Sequence, residues 1–414
     1  MRTQTYPKEQ VAINPATFFV PATRARRAVL YERLKVVAIL PTYKPTDITR
    51  KLVCDLLKWN PELRIVVVDD STPESAHESI QVLARLATLH TRVRLLRTSE
   101  NKLKAGALNY ALRAILAEED MPDAIITLDD DVIIEEDTVE RLVVELLADP
   151  ARGAVCSQCR VYNKNANLLT RLQGLEYLGF NAIRLADHGF LRGPLVMHGM
   201  LTAFKTEAVR EAGGFAEGHL IEDYEITSRL KSDGWSVASA PEARAYTVVP
   251  ETLGALWRQR TRWSYGGLTV VFGARKASAV FQDILGHSVF LSMIVMLFAL
   301  SFTKGGGAIP RGIMYAVIAL SVGQLLIWYS FQLWQMSGYR ERDAWDWTLR
   351  AALIPEFLYS YLLTAALVGS YIFFLFNVLS RRAQSFSVPK VLFKPGEALF
   401  RILGYTEKRW GTHL

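Results

Sequence analysis

Three cysteines, Cys54, Cys156 and Cys159, are all that the 414 residues contain. That is too few for a disulfide framework, and a reducing compartment is the expectation for the water-facing part. Cys156 and Cys159 have the spacing of half a zinc site, but no second pair exists to complete it. Their neighbours read as a strand, where residues three apart face opposite ways, so structural thiols are expected. Residues 1–20 hold no apolar run long enough for a signal peptide. Nucleic-acid-binding motifs and basic tracts are also missing, so the net charge of +7 points to anionic lipid headgroups and to no nucleic acid. Finally, three long apolar segments, Leu285 to Thr303, Ile313 to Trp334 and Phe357 to Leu379, contain no Asp, Glu, Lys or Arg. Each is close to the roughly 20 residues that span a bilayer core.

What is present divides the chain. Residues 1–34 form a basic arm with Arg24, Arg26, Arg27 and Arg33. Residues 35–245 alternate short apolar runs, such as Val36 to Leu40, Arg64 to Val68 and Ala124 to Leu128, with helical stretches at 47–59, 73–89 and 104–118. Continuous apolar runs suit parallel strands buried on both faces. The alternation predicts an α/β fold with a doubly wound, mostly parallel sheet. Residues 246–284 read as interfacial helices, 285–380 as about three transmembrane helices and 381–414 as a basic tail. Three crossings would put that tail, with Arg381, Arg382, Lys390 and Lys394, on the side away from the catalytic domain, against the usual charge bias. Either one segment fails to cross or the bias fails.

In doubly wound sheets ligands bind beyond the carboxyl ends of the strands. Here those ends carry Pro41-Thr42-Tyr43, Asp69-Asp70 and Asp129-Asp130-Asp131. Two carboxylates flanking one residue, Asp129 and Asp131, can face a hard divalent cation and leave room for diphosphate oxygens. Glu222-Asp223 enters a helix, where an acid either abstracts a proton from a hydroxyl or complements the helix dipole. Gln259, Arg262 and Trp263 offer a planar cation and an aromatic face just before the first apolar segment.

In this order the motifs resemble those of the family 2 glycosyltransferases, the group of the cellulose, chitin, hyaluronan and poly-N-acetylglucosamine synthases. The resemblance spans about residues 35 to 265. It implies a GT-A fold and a nucleotide-sugar donor, a uridine diphosphate sugar by family expectation. Pro41, Thr42 and Tyr43 would meet the nucleobase, Asp70 or Asp69 the base or ribose, and Lys104, within Lys104 to Asn109, the diphosphate. Asp129 and Asp131 would hold Mg²⁺ or Mn²⁺, with Asp130 beside the donor. Asp223 would be the general base. His198, Gly199, Glu222 and Trp263 would lie toward the acceptor, and Gln259 and Arg262 toward the donor. His198 also reads as a structural histidine. Polymerising members usually carry a membrane helix ahead of the catalytic domain, and no such run precedes residue 35. Three helices would make an incomplete channel unless the chain forms a homo-oligomer.

The expectation is an integral membrane enzyme with its catalytic domain on the cytoplasmic face. It would pass sugars to a growing glycan, or singly to a lipid-linked, glycolipid or protein acceptor. A sugar-nucleotide-binding scaffold without activity is the remaining reading.

Overall fold

The computed structural model describes residues 31, 33–186, 191–302, 311–386 and 389–405. Arg24, Arg26, Arg27 and His188 lie outside the described residues. The chain begins with a Rossmann-like alternation: β1 (Val36–Thr42), α1 (Asp47–Trp59), β2 (Arg64–Asp69), α2 (His77–Leu89), β3 (Val93–Arg97), α3 (Leu103–Leu116) and β4 (Ala124–Leu128). A short β5 (Ile133–Ile134) leads through α4 (Thr138–Leu147) to β6 (Arg152–Val161) and α5 (Leu168–Ala186). There follow β7 (Leu201–Lys205), α6 (Thr206–Glu211), α7 (Glu222–Asp233) and β8 (Ser236–Thr247).

The eight strands form one sheet in the order β3-β2-β1-β4-β7-β6-β8-β5. Every residue of β1 is buried because the sheet is covered on both faces. Val36, Ala38 and Leu40 pack on one side with Leu52 and Leu56 of α1, while Val37 and Ile39 pack on the other with Leu108 and Leu112 of α3. Cys159 and Cys156 fall into these two separate cores, as the strand reading expects.

The sheet is mixed. β3, β2, β1 and β4 are parallel, but β7 runs antiparallel to both β4 and β6. This reversal matters for the site. Leu128 pairs with Leu201, so the residues before β7, His198 to Met200, meet the carboxyl end of β4, and Asp129 N donates to Met200 O at 3.0 Å. In the same way Ile133 pairs with Tyr246, which carries Thr247 to the acidic triplet.

Beyond the sheet lie α8 (Leu253–Gly273), α9 (Phe281–Phe302), α10 (Arg311–Ser337), α11 (Ala344–Ala352), α12 (Ile354–Ser385) and α13 (Lys394–Ile402). The three apolar segments fold as α9, α10 and α12. Among the described residues two stretches, Ala277–Val295 and Ile354–Ser385, are long and apolar enough to cross a membrane. Large apolar side chains stand exposed on all three helices, among them Val295, Leu320, Ile327 and Leu375. An ionic lock ties this region to the sheet domain: Lys164 Nζ lies 2.8 Å from Asp346 Oδ2, and Arg171 Nη1 reaches Asp343 at 2.6 Å and Asp346 at 2.8 Å. Asp346 is buried, which makes its two cationic partners obligatory.

Candidate active site

A cleft of about 1200 Å³ opens over the carboxyl ends of β1, β2 and β4. Its walls carry Pro41, Thr42, Tyr43, Asp70, Lys104 and the whole triplet Asp129 to Asp131. They also carry His198, Gly199, Glu222, Asp223, Gln259, Arg262 and Trp263. Of the residues predicted from sequence, Asp69 stands apart. Its side chain is fully buried, where Oδ1 accepts from Thr72 N at 2.9 Å and Oδ2 faces Arg97 at 3.3 Å. It shapes the turn after β2. The adjacent Asp70 is the acid on the cleft wall, accepting from Thr98 Oγ1 at 2.9 Å and from Lys102 N at 2.8 Å.

Lys104, in the first turn of α3, is the electrostatic centre. Its Nζ lies 2.6 Å from Asp129 Oδ1 and 2.9 Å from Glu222 Oε1, and donates to Gly199 O at 3.0 Å. Burial alone would lower the ammonium's pKa, but Asp129, Glu222 and Asp223 outweigh it and raise it. Burial likewise pushes the Asp129 carboxyl up, to about 6, with Lys104 opposing and Asp131 assisting. Asp131 is raised by burial and by Asp130, while Thr247 Oγ1 donates to its Oδ2 at 3.2 Å. Asp130 turns the other way and accepts from Thr42 Oγ1 at 2.6 Å, tying the triplet to the end of β1.

Asp223 opens α7. Its Oδ2 accepts from Gly199 N and its Oδ1 from Tyr224 N, both at 2.8 Å. Burial and the neighbouring Glu222 raise its pKa above the usual aspartate value. Glu222 goes the opposite way: burial works to raise it, and Lys104 overrides this and lowers it. The two adjacent acids are thus shifted in opposite directions, with Lys104 as their shared neighbour. A Cβ at Gly199 would come within 2.6 Å of Lys104 Nζ and 3.3 Å of Asp223 Oδ2, so a side chain there would displace the Lys104 ammonium.

A model of glycosyl transferase family group 2 matches residues 124–380, well over half of the chain. The chain belongs to that family. This glycosyltransferase is 26% identical over 237 residues to the poly-β-1,6-N-acetyl-D-glucosamine synthase of Staphylococcus aureus strain MSSA476, covering 57% of this chain and 55% of that protein. It is 24% identical over 234 residues to the synthase of Staphylococcus epidermidis, covering 56% and 54%. The match therefore spans little more than half the length of these curated relatives. Among solved structures it resembles the mannosyltransferase PcManGT from Pyrobaculum calidifontis in complex with GDP-Man and Mn²⁺. The TM-score is 0.52 at 21% identity, over 83% of this chain and 94% of that one, which establishes a common fold.

The Gln259-to-Trp263 stretch of the glycosyltransferase sits on α8, facing the cleft. One face of Trp263 is covered by the Arg260 guanidinium at 4.1 Å from the ring centre, and its edge meets Phe180 at 6.5 Å. Arg260 in turn lies 2.6 Å from Glu176 Oε2 and donates to Gln259 Oε1 at 2.7 Å. Arg262 reaches Leu220 O at 3.4 Å. Trp263 is thus a braced aromatic wall.

Sequence reasoning missed several cleft residues: Glu176, Phe180 and Arg184 on α5, and Asp283 and His287 on α9. The signal was present as a spacing of four, which puts each set on one helical face. Asp283 also accepts from Tyr224 Oη at 2.9 Å, which anchors the first turn of α7 next to Asp223.

His198 lines the cleft and is tied to β6. It is buried, with Nε2 2.6 Å from Ser157 O. Burial, assisted by Arg184, lowers its pKa to about 3. The unfolded chain binds a proton near pH 6.5 and the folded one does not, so stability present above that pH is lost as the pH falls toward 3. The slope is about 1.4 kcal/mol per pH unit. Between pH 7 and pH 5 the parent protein is expected to lose about 2 kcal/mol that a His198→Asn variant keeps, measured by unfolding in detergent.

Proposed function

We propose that this glycosyltransferase is a membrane-bound inverting enzyme that moves a hexose from a nucleotide sugar, a uridine diphosphate sugar by the family resemblance, to a growing glycan. One observation carries the reading. The Asp223 carboxylate is held by two backbone N–H groups and opens on the same cleft as Lys104 and the Asp129–Asp131 pair.

The residues fit a divalent cation, Mg²⁺ or Mn²⁺. Asp129 and Asp131 repel each other on one cleft wall, and that repulsion is part of what raises the Asp129 pKa. Among the described residues no group of three or more His, Cys, Asp or Glu converges to hold a metal. Asp129 and Asp131 would offer two carboxylates, the number expected for a hard cation that completes its shell with diphosphate and water. A cation bound there supplies positive charge to the departing diphosphate.

The chain's own groups do the rest. Pro41 to Tyr43 and Asp70 hold the nucleoside end, and Lys104 and Arg262 neutralise the diphosphate. Asp223 takes the proton of the acceptor hydroxyl as that oxygen attacks the anomeric carbon in a single displacement. Glu222, by occupying Lys104, keeps its charge from stabilising Asp223 too strongly. The Trp263 wall sets the angle at which the acceptor sugar approaches.

A second reading, transfer of one sugar to a lipid-linked acceptor, has one observation in its favour: the cleft continues to Leu363, Thr364 and Leu367 of the apolar α12. The enzyme in membranes, given single labelled sugar nucleotides with Mg²⁺ or Mn²⁺, separates the readings. A size ladder of product is expected. One discrete, solvent-extractable product would favour the lipid acceptor, and no incorporation from any donor would overturn the enzymatic reading.

A further inference from the structure

A helix crosses a bilayer only if its ends lie about 30 Å apart along the membrane normal. α12 has 32 residues and ample apolar surface, yet its contacts to the catalytic half recur from Tyr359, near its start, to Asn377, about two turns from its end. Near its start Glu356 pairs with Arg350 at 2.6 Å, and Tyr359 Oη donates to Glu176 Oε2 at 2.6 Å beside Arg260 of α8. Further on, Tyr265 of α8 rests on Phe373 at 4.7 Å and accepts from Asn377 Nδ2 at 3.0 Å. Phe272, in the last turn of α8, stacks on Phe374 at 4.7 Å.

α8 is itself fixed to the domain at both ends. Leu256 packs with Leu172 of α5, and just past the other end Lys276 and Arg275 reach Ser232 and Asp233 of α7. A helix held against α8 both at Tyr359 and at Phe373 to Asn377 is therefore inferred to run along the domain. Its buried positions agree: Glu356, Tyr359, Ala366, Ser370, Phe373 and Ser380 form a single stripe from one end to the other. The opposite face exposes Leu358, Tyr361, Ile372, Leu375 and Leu379.

The chain after α12 stays on the same side. Phe393 and Phe400 fold back on Phe376, Trp257 Nε1 of α8 donates to Leu403 O at 2.7 Å, and Tyr405 Oη donates to Ala366 O at 3.0 Å. Around α13, exposed Val391, Leu392, Leu399 and Ile402 alternate with exposed Lys390, Lys394 and Arg401. α9 and α10 behave differently. Phe290 of α9 stacks on Tyr371 and Trp328 of α10 meets Phe357, each about two turns from the end nearer the domain, which leaves residues 291–302 of α9 and 311–327 of α10 beyond these contacts.

We propose that the chain crosses the bilayer twice, through α9 and α10, and that α12 and α13 lie in the membrane interface on the catalytic side. Their apolar faces rest on acyl chains, and Arg382, Lys390, Lys394 and Arg401 meet anionic headgroups. This rests on the membrane reading above. It also resolves the conflict in the sequence, because an even number of crossings returns the basic tail to the catalytic side, as the charge bias requires.

The test uses single cysteines in a Cys54→Ser background, in sealed membrane vesicles treated with a membrane-impermeant maleimide. Glu119→Cys and Lys390→Cys are expected to react from one side and Lys304→Cys from the other. Reaction of Lys390→Cys from the side of Lys304→Cys, or of Lys304→Cys from the side of Glu119→Cys, would overturn the proposal. Nitroxides attached at Leu358→Cys, Ile372→Cys and Leu379→Cys should report equal depth by oxygen and nickel-chelate accessibility. A depth graded along the helix, or shielding from both reagents by a covering protein, would also overturn it. Release of the unmodified protein by alkaline washing would remove the membrane reading itself.

Discussion

Asp223→Asn is expected to lower sugar transfer by about 10²–10⁴-fold, the usual cost of losing a positioned base, while binding of the nucleotide sugar is largely kept. The two carboxylate oxygens each accept a backbone N–H, from Gly199 and from Tyr224. Asparagine can satisfy one of these with its oxygen and leaves the other unmet, a loss of about 1 kcal/mol in stability, too small to unfold the domain. Isothermal titration with donor and turnover with labelled donor separate the two effects. Turnover near the parent's would remove Asp223 from the role of base. The raised Asp223 pKa adds a pH signature. The acid limb of the rate should lie above the ordinary aspartate range, since the proton must leave before the carboxylate can accept another. Glu222→Gln removes one cause of the shift and should move that limb to lower pH.

Lys104→Met is expected to cost about 10²–10³-fold in turnover, since a positive charge aimed at the developing diphosphate is lost. It also strips Asp129 and Glu222 of their shared partner, and leaving buried acids unpaired costs about 3 kcal/mol of stability. The double change Lys104→Met with Glu222→Gln should recover part of the stability and none of the turnover. If it recovers turnover, the lysine acts as a brace for Glu222 and Asp129 and takes no part in diphosphate neutralisation.

The strands and helices of the catalytic half were legible because each signal is local. Val36 to Leu40 is apolar at every position because both faces of β1 are covered, and the helical stretches between strands follow from spacing alone. Asp70 and Asp69 were not separable in the same way. Both end one strand, and only the turn geometry sends Asp69 inward to Thr72 and Arg97 and leaves Asp70 on the cleft. Glu176 and Asp283 were missed because their meaning depends on partners far along the chain, Arg260 in one case and Tyr224 in the other.

Taken alone, the sequence determined the family motifs, the identity of the acids and the existence of three long apolar segments, since composition and spacing are properties of the chain itself. The tertiary structure decided which acids share a cleft, because the reversed β7 carries Gly199 to Asp129 and Asp223. It also decided how α12 lies. Hydropathy measures only how apolar a helix is, whereas its direction is set by what it packs against, and α12 meets α8 at Tyr359 and again at Phe373 and Phe374.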